Sequence, residues 1–108
     1  MGYQLDSLHL LVVTAIPNPN EMASVQEYLQ GVLPLLQGAG GKPVKCLKVD
    51  HVVNGNPSGM VLVMDFDSAN AITGMFDSDD YAALVPARDR SFAEMNILLT
   101  HDIWDCAM

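Results

Sequence analysis

FDSANAITGMFDSDDYAALVPARDR, residues 66–90, is the stretch whose reading decides the fold. Phe66 closes an apolar run, Met60-Val61-Leu62-Val63-Met64. Ser68 then offers a hydroxyl at a helix N-cap, where it accepts from a backbone N–H that has no partner within the helix. Ala71, Ile72, Met75 and Phe76 recur at helical spacing, so a short helix with one buried stripe is expected. Ser78 is a second N-cap, and the acids after it suit the positive end of a helix dipole. Tyr81, Leu84 and Val85 form the expected buried side of the next segment. Pro86 is expected to resist continuation of that turn. Arg88 and Arg90 follow, the only arginines of the chain.

Upstream, Leu8–Ile16 is apolar on both faces, the pattern of a central strand covered on each side. Asn18-Pro19-Asn20-Glu21 opens a helix, with Asn18 as cap and Pro19 at the first position. Met22, Val25, Leu29, Val32, Leu33 and Leu36 step along one face, and Gly31 and Pro34 are expected to bend it. Gly38-Ala39-Gly40-Gly41 stops it. Val44–Val53 interleaves Lys45, Lys48 and Asp50 with apolar residues, which suits an edge strand. Asn54–Gly59 is a turn. Met60–Asp67 is a third strand and Met95–Ile103 a fourth.

The order β-α-β-β-α-β is a split βαβ, ferredoxin-like sandwich of the α+β class. Both helices then cover one face of a four-stranded antiparallel sheet. Strands one and three carry large apolar side chains on their other face too, more than a single soluble chain usually exposes. A second copy packed sheet to sheet is the simplest cover, giving a homodimer through the open sheet face.

The motif F-x-S-x-x-A followed by aromatic-D-S-x-[DE]-Y-x-x-L-x-P-x-R is carried here by Phe66, Ser68, Ala71, Phe76, Asp77, Ser78, Asp80, Tyr81, Leu84, Pro86 and Arg88. In these residues the chain resembles a small bacterial family known as a domain of unknown function, number thirteen-thirty. That family belongs to the dimeric α/β-barrel, ferredoxin-like superfamily. The similarity continues upstream through Tyr28, Pro34 and Gly40-Gly41. The resemblance implies a homodimeric barrel and no assigned reaction. The chain departs from the family pattern at Met60, where a basic residue is expected, in the longer Leu47–Gly59 segment, and in the ending His101-Asp102-Ile103-Trp104.

With 108 residues, a single domain is expected over 1–108, with its core in residues 8–104. A formal charge of −8 with only 5 Lys plus Arg excludes a basic nucleic-acid surface and an anionic membrane face. The run Leu8–Ile16 is too short to span a bilayer. Cys46 and Cys106 form no C-x-x-C pair and read as reduced thiols in a cytoplasmic protein.

Candidate site residues fall in three groups. Asp65 is expected to point into the cleft between two sheets, with Asn96, Thr100 and Asp102. There it serves as a base or hydrogen-bond acceptor, or else sits near the wet rim or pairs with Lys45 or Lys48 across a dimer. His9, His51 and His101 are expected at one end of the sheet, His9 beside His101 and His51 too distant to complete a metal site, so no metal is expected. Arg88 is either a fork for a substrate carboxylate or phosphate, or a loop-fixing partner of Asp77, Asp80 or Asp89. Tyr81 reads as a core residue with a satisfied hydroxyl or as a catalytic acid. Trp104 caps the cleft or packs as tail. No Ser-His-Asp motif, P-loop, dinucleotide fingerprint or zinc-knuckle spacing is present, and no cofactor is expected.

The expected function is binding of a small organic molecule between the sheet and the Phe66–Arg90 segment. Cofactor-independent proton transfer by Asp65, His9 or His101 would complete an enzyme, with Arg88, Tyr81, Asn96 and Trp104 holding the substrate. The other reading is a non-catalytic dimeric assembly module.

Overall fold

The computed structural model describes residues 9–56 and 59–101. Strand β1 (Leu10–Pro17) leads through a 3-10 turn (Pro19–Glu21) into helix α1 (Met22–Gly38). Strands β2 (Lys42–Lys48) and β3 (Met60–Asp65) follow, then helices α2 (Ala69–Phe76), α3 (Asp79–Ala82) and α4 (Val85–Ser91), and strand β4 (Phe92–Thr100). All three strand pairings are antiparallel, and the order across the sheet is β2-β3-β1-β4. This is the ferredoxin-like α+β arrangement.

Alternation along the strands decides which face is covered. Leu11, Ala15 and Met64 are buried with Val25, Tyr28, Val32 and Leu36 of α1 and with Ile72, Met75, Tyr81 and Ala87 of the later helices. Leu62, Met95, Ile97 and Leu99 pack against the same cluster. Residues of the opposite parity (Leu10, Val12, Ile16, Val61, Val63 and Leu98) therefore share the other face. Leu98 is 46% exposed and Leu47, at the edge, 49%.

Local chemistry accounts for most boundaries. Ser68 Oγ accepts from Ala71 N, and Ser78 Oγ from Tyr81 N, both at 3.2 Å. Asn18 Oδ1 accepts from Asn20 N, so it opens the 3-10 turn that precedes α1. At the far end of α1, Gly40 adopts φ 91°, a left-handed conformation that glycine alone takes without strain. Gly41 N then donates to Leu36 O at 2.9 Å, closing the helix.

Several expectations are corrected. Helix α1 is rotated from the expected stripe: Tyr28 is buried, while Met22 and Leu33 are exposed. Pro86 does not stop a helix but lies in the first turn of α4, where its missing N–H is not needed. Strand β2 runs from Lys42 to Lys48 rather than Val44–Val53, because its partner β3 begins at Met60, opposite Lys48. Val53 is consequently 91% exposed. Strand β4 begins at Phe92, which pairs with Pro17 past an irregularity in register. No helix among the described residues is long and apolar enough to cross a membrane.

Candidate functional site

Three short helices in succession carry the site, each placed by its own punctuation. The Ser68 cap starts α2, whose last residue is Phe76. The Ser78 cap starts α3 and turns Tyr81 inward, where it is 3% exposed. Leu84 O accepts from Arg88 N as α4 begins, which sets Arg88 one turn beyond Leu84 and seven residues beyond Tyr81. Helix α4 packs along α1. That contact brings Tyr28 to the same point.

The result is a chain of hydrogen bonds running from surface to core. Arg88 Nη1 donates to Tyr81 Oη at 3.2 Å, and Tyr81 Oη lies 2.9 Å from Tyr28 Oη. Arg88 Nε and Nη2 both donate to Asp89 Oδ1, at 3.3 and 3.2 Å. Donors remain on both Nη atoms of the guanidinium. Its Cζ also stands 5.9 Å from the centre of the Tyr81 ring, within cation–π reach. Edge-to-face contacts of Tyr81 with Phe76 at 4.8 Å, and of Tyr28 with Phe92 at 5.6 Å, hold both phenols in place.

Electrostatics follow from this geometry. Burial, then the Tyr81 hydrogen bond, raises the pKa of Tyr28, so it stays a neutral phenol. The hydrogen bond to Tyr81 raises the pKa of Arg88 further, so the guanidinium is a fixed positive charge. Its partner Asp89 is 66% exposed, and such a surface pair contributes only about 0–1 kcal/mol.

Two hollows open beside Arg88 along the β4 edge. One, of about 290 Å³, is lined by Thr73, Phe76, Asp77, Tyr81, Arg88 and Ile97 among others. The second, of about 460 Å³, is lined by Arg88, Asp89, Phe92, Glu94, Met95 and Ile97 among others. Among the described residues, Arg88 is the only cationic side chain lining either. Behind them, between α1 and the sheet, is an apolar chamber of about 60 Å³ whose walls include Leu11, Val13, Tyr28, Val32, Phe76 and Ile97. A larger trough of about 710 Å³ at the β2 edge, lined by Met22, Cys46, Leu47 and Lys48 among others, has no comparable polar group anchored in the core.

The other candidate residues lie elsewhere. Asp65 shares the open face with Leu10, its register partner, and its Oδ1 accepts from His9 Nδ1 at 2.8 Å. The pair is part-exposed, His9 40% and Asp65 47%. Asn96 lies on that open face as well, donating to Thr14 Oγ1 at 3.1 Å. The sheet thus separates Asp65 and Asn96 from Arg88 and Tyr81, and one cleft holding all of them is not formed. The reason is strand parity: Met64 and Phe66 are both buried on the helix side, which forces Asp65 outward. His101 follows Thr100, which faces Leu10, so it stands at the same end as His9. His51 does not: β2 ends at Lys48 against Met60, and Met60 faces Ala15 at the opposite end of β1. Among the described residues no three His, Cys, Asp or Glu side chains are grouped to hold a metal ion. Trp104 and Asp102 lie outside the described residues.

Tyr28 is the residue that the sequence reading missed. A tyrosine three positions after buried Val25 and four before buried Val32 was the available signal.

The pattern of the family described as Domain of unknown function (DUF1330) matches residues 10–102. The chain belongs to that family. No curated protein matches its sequence. Among solved structures, this DUF1330 domain is similar to a protein of unknown function from Rhodopseudomonas palustris, with a TM-score of 0.74 and 14% identity over 93% of this chain and 87% of the other. A dabb family protein with a ferredoxin-like fold from Mesorhizobium loti gives a TM-score of 0.64 and 14% identity over 87% and 95% of the two chains. A dimeric protein of unknown function with a ferredoxin-like fold from Bacteroides fragilis gives 0.56 and 8% over 86% and 94%. At these identities the shared property is the fold.

Proposed function

We propose that this DUF1330 domain is a homodimer that binds a small organic anion in the hollows along β4, with Arg88 as the anchor. The observation that carries the reading is the hydrogen-bonded line Arg88–Tyr81–Tyr28. A guanidinium fixed from behind by a buried phenol loses less freedom on binding than a surface arginine does. Asp89 supports the reading further. Its carboxylate already occupies donors of Arg88, as a ligand's would, and its exposure lets it be displaced at small cost.

Dimerisation is supported by the apolar open face around Val12, Val61 and Val63 and by the dimeric B. fragilis relative of the same fold. The free, exposed thiol of Cys46 suits a reducing, cytoplasmic setting. The reading is of binding rather than catalysis, since the Asp65–His9 pair is on the other face of the sheet. That pair, an imidazole oriented by a carboxylate, belongs to the space between two subunits and is our candidate for any proton transfer there.

The test is titration of the labelled protein with small carboxylates and their neutral amides, followed by NMR. Carboxylates alone are expected to shift Ile97 and Leu99, and Arg88→Met is expected to abolish the shifts while the thermal transition persists. Equal binding by Arg88→Met removes the anchor. Loss of its thermal transition instead assigns Arg88 a structural role.

A further inference from the structure

Resting on the reading of Arg88 as an anion anchor, we infer that the ligand of this cleft is a short aliphatic monocarboxylate whose tail enters the chamber beneath α1. Three observations define it.

The first is the wall that the polar mouth and the apolar interior share. Phe76 and Ile97 line both the 290 Å³ hollow and the inner chamber. Phe92, Met95 and Ile97 likewise line both the 460 Å³ hollow and the chamber. These shared side chains are the wall between mouth and interior, and all of them are apolar, so a tail entering from a head on Arg88 displaces only apolar groups. An amphiphile matches that sequence of surfaces, whereas a polar metabolite would leave its hydroxyls without partners in the chamber.

Charge sets the head. Among the described residues Arg88 is the single cation of the hollows, while Asp77 lines one and Asp89 and Glu94 the other. A monoanion exchanges for Asp89 on the guanidinium. A dianion such as phosphate or a dicarboxylate meets the remaining carboxylates with its second charge, which is unfavourable.

Volume sets the tail. The chamber of about 60 Å³ is well under half of the engineered apolar cavity of about 150 Å³ that admits benzene. It holds roughly two water-sized groups. A straight or branched chain of a few carbons enters, and an aromatic ring does not.

The experiment is a calorimetric or NMR titration of the full chain with acetate, propionate, butyrate, valerate, hexanoate, benzoate, succinate and 1-butanol. Affinity is expected to rise about fourfold with each methylene from acetate until the chamber is filled, near butyrate, and then to level off. Benzoate and succinate are expected to bind no better than acetate, and 1-butanol not at all in the same range. The paired substitution Val13→Ile and Val32→Ile, which fills the chamber, is expected to abolish the gain with chain length and leave acetate unchanged. If acetate binds through Arg88 and lengthening the chain changes nothing in the wild-type protein, the tail assignment fails and the anchor stands. If benzoate or succinate outranks valerate, the ligand class is wrong. If no carboxylate binds, the anchor itself is overturned, and this inference with it.

Discussion

Tyr81→Phe removes one oxygen atom from the point where three elements meet. Its expected cost can be worked from the contacts. In the native protein Tyr81 Oη lies 2.9 Å from Tyr28 Oη and accepts from Arg88 at 3.2 Å. Tyr28 is 4% exposed, so its hydroxyl has no route to water once that partner is gone. An unsatisfied buried hydroxyl costs about 1–3 kcal/mol. Arg88, 29% exposed, replaces its lost bond with water at little cost. The net expectation is about 2 kcal/mol of lost stability, or a fall in Tm of roughly 8 °C for a domain of this size. Tyr28→Phe is expected to cost about half as much, because Tyr81 Oη keeps Arg88 as its donor. The double variant is expected to cost less than the sum of the two, since with both hydroxyls gone no buried group is left unpaired. Urea denaturation at fixed protein concentration measures all three, with unchanged m-values as the check on comparability. A neutral Tyr81→Phe, or strict additivity in the cycle, would refute the hydrogen-bonded line on which the site reading depends.

Other outcomes follow from the same structure. The native state holds the Tyr28 proton more tightly than the unfolded chain does, so the unfolded chain releases it first and stability falls as pH rises through about 10. Tyr28→Phe is expected to flatten that decline in denaturation measured at pH 8 to 11; an identical slope would contradict it. Val63→Lys puts a charge on the open face, opposite Val12 and Lys45, and is expected to convert a dimer to monomers in sedimentation velocity at micromolar concentration. Survival of the dimer would show that the subunits do not meet there. Gly41→Ala builds a methyl 2.6 Å from Phe66 Cζ and 2.8 Å from the Leu36 carbonyl oxygen. Because the second neighbour is backbone, the helix end must shift, at about 1–3 kcal/mol, and the thermal midpoint should drop accordingly.

Much of the fold is legible in the sequence because its signals are short-ranged. Ser68 and Ser78 cap helices wherever they occur before apolar periodicity, and both do so here. The lysines of β2 mark an edge, and the order β2-β3-β1-β4 puts that strand there. The site is less legible. The two-residue alternation sends Asp65 to the open face, as expected, and for that reason it cannot share a cleft with Arg88. His51 is expected at the same end of the sheet as His9 and His101, but β2 runs parallel to β1, so its end lies at the opposite end. Pro86 was read as a stop, although the same residue is tolerated, and here found, at a helix start.

By itself, then, the sequence determined the class of fold, the caps, the edge strand and the surplus of apolar surface on the sheet. Each of these depends on neighbours within about one turn or one strand, where residue type and spacing are the whole cause. Only the tertiary structure decided the rotation of α1 that buries Tyr28, and with it the meeting of Tyr28, Tyr81 and Arg88. Tyr28 and Tyr81 are 53 residues apart, and no local preference links them. Their contact exists because α1 and α4 must both cover the same sheet face, and the packing of that shared layer fixes which side chains touch.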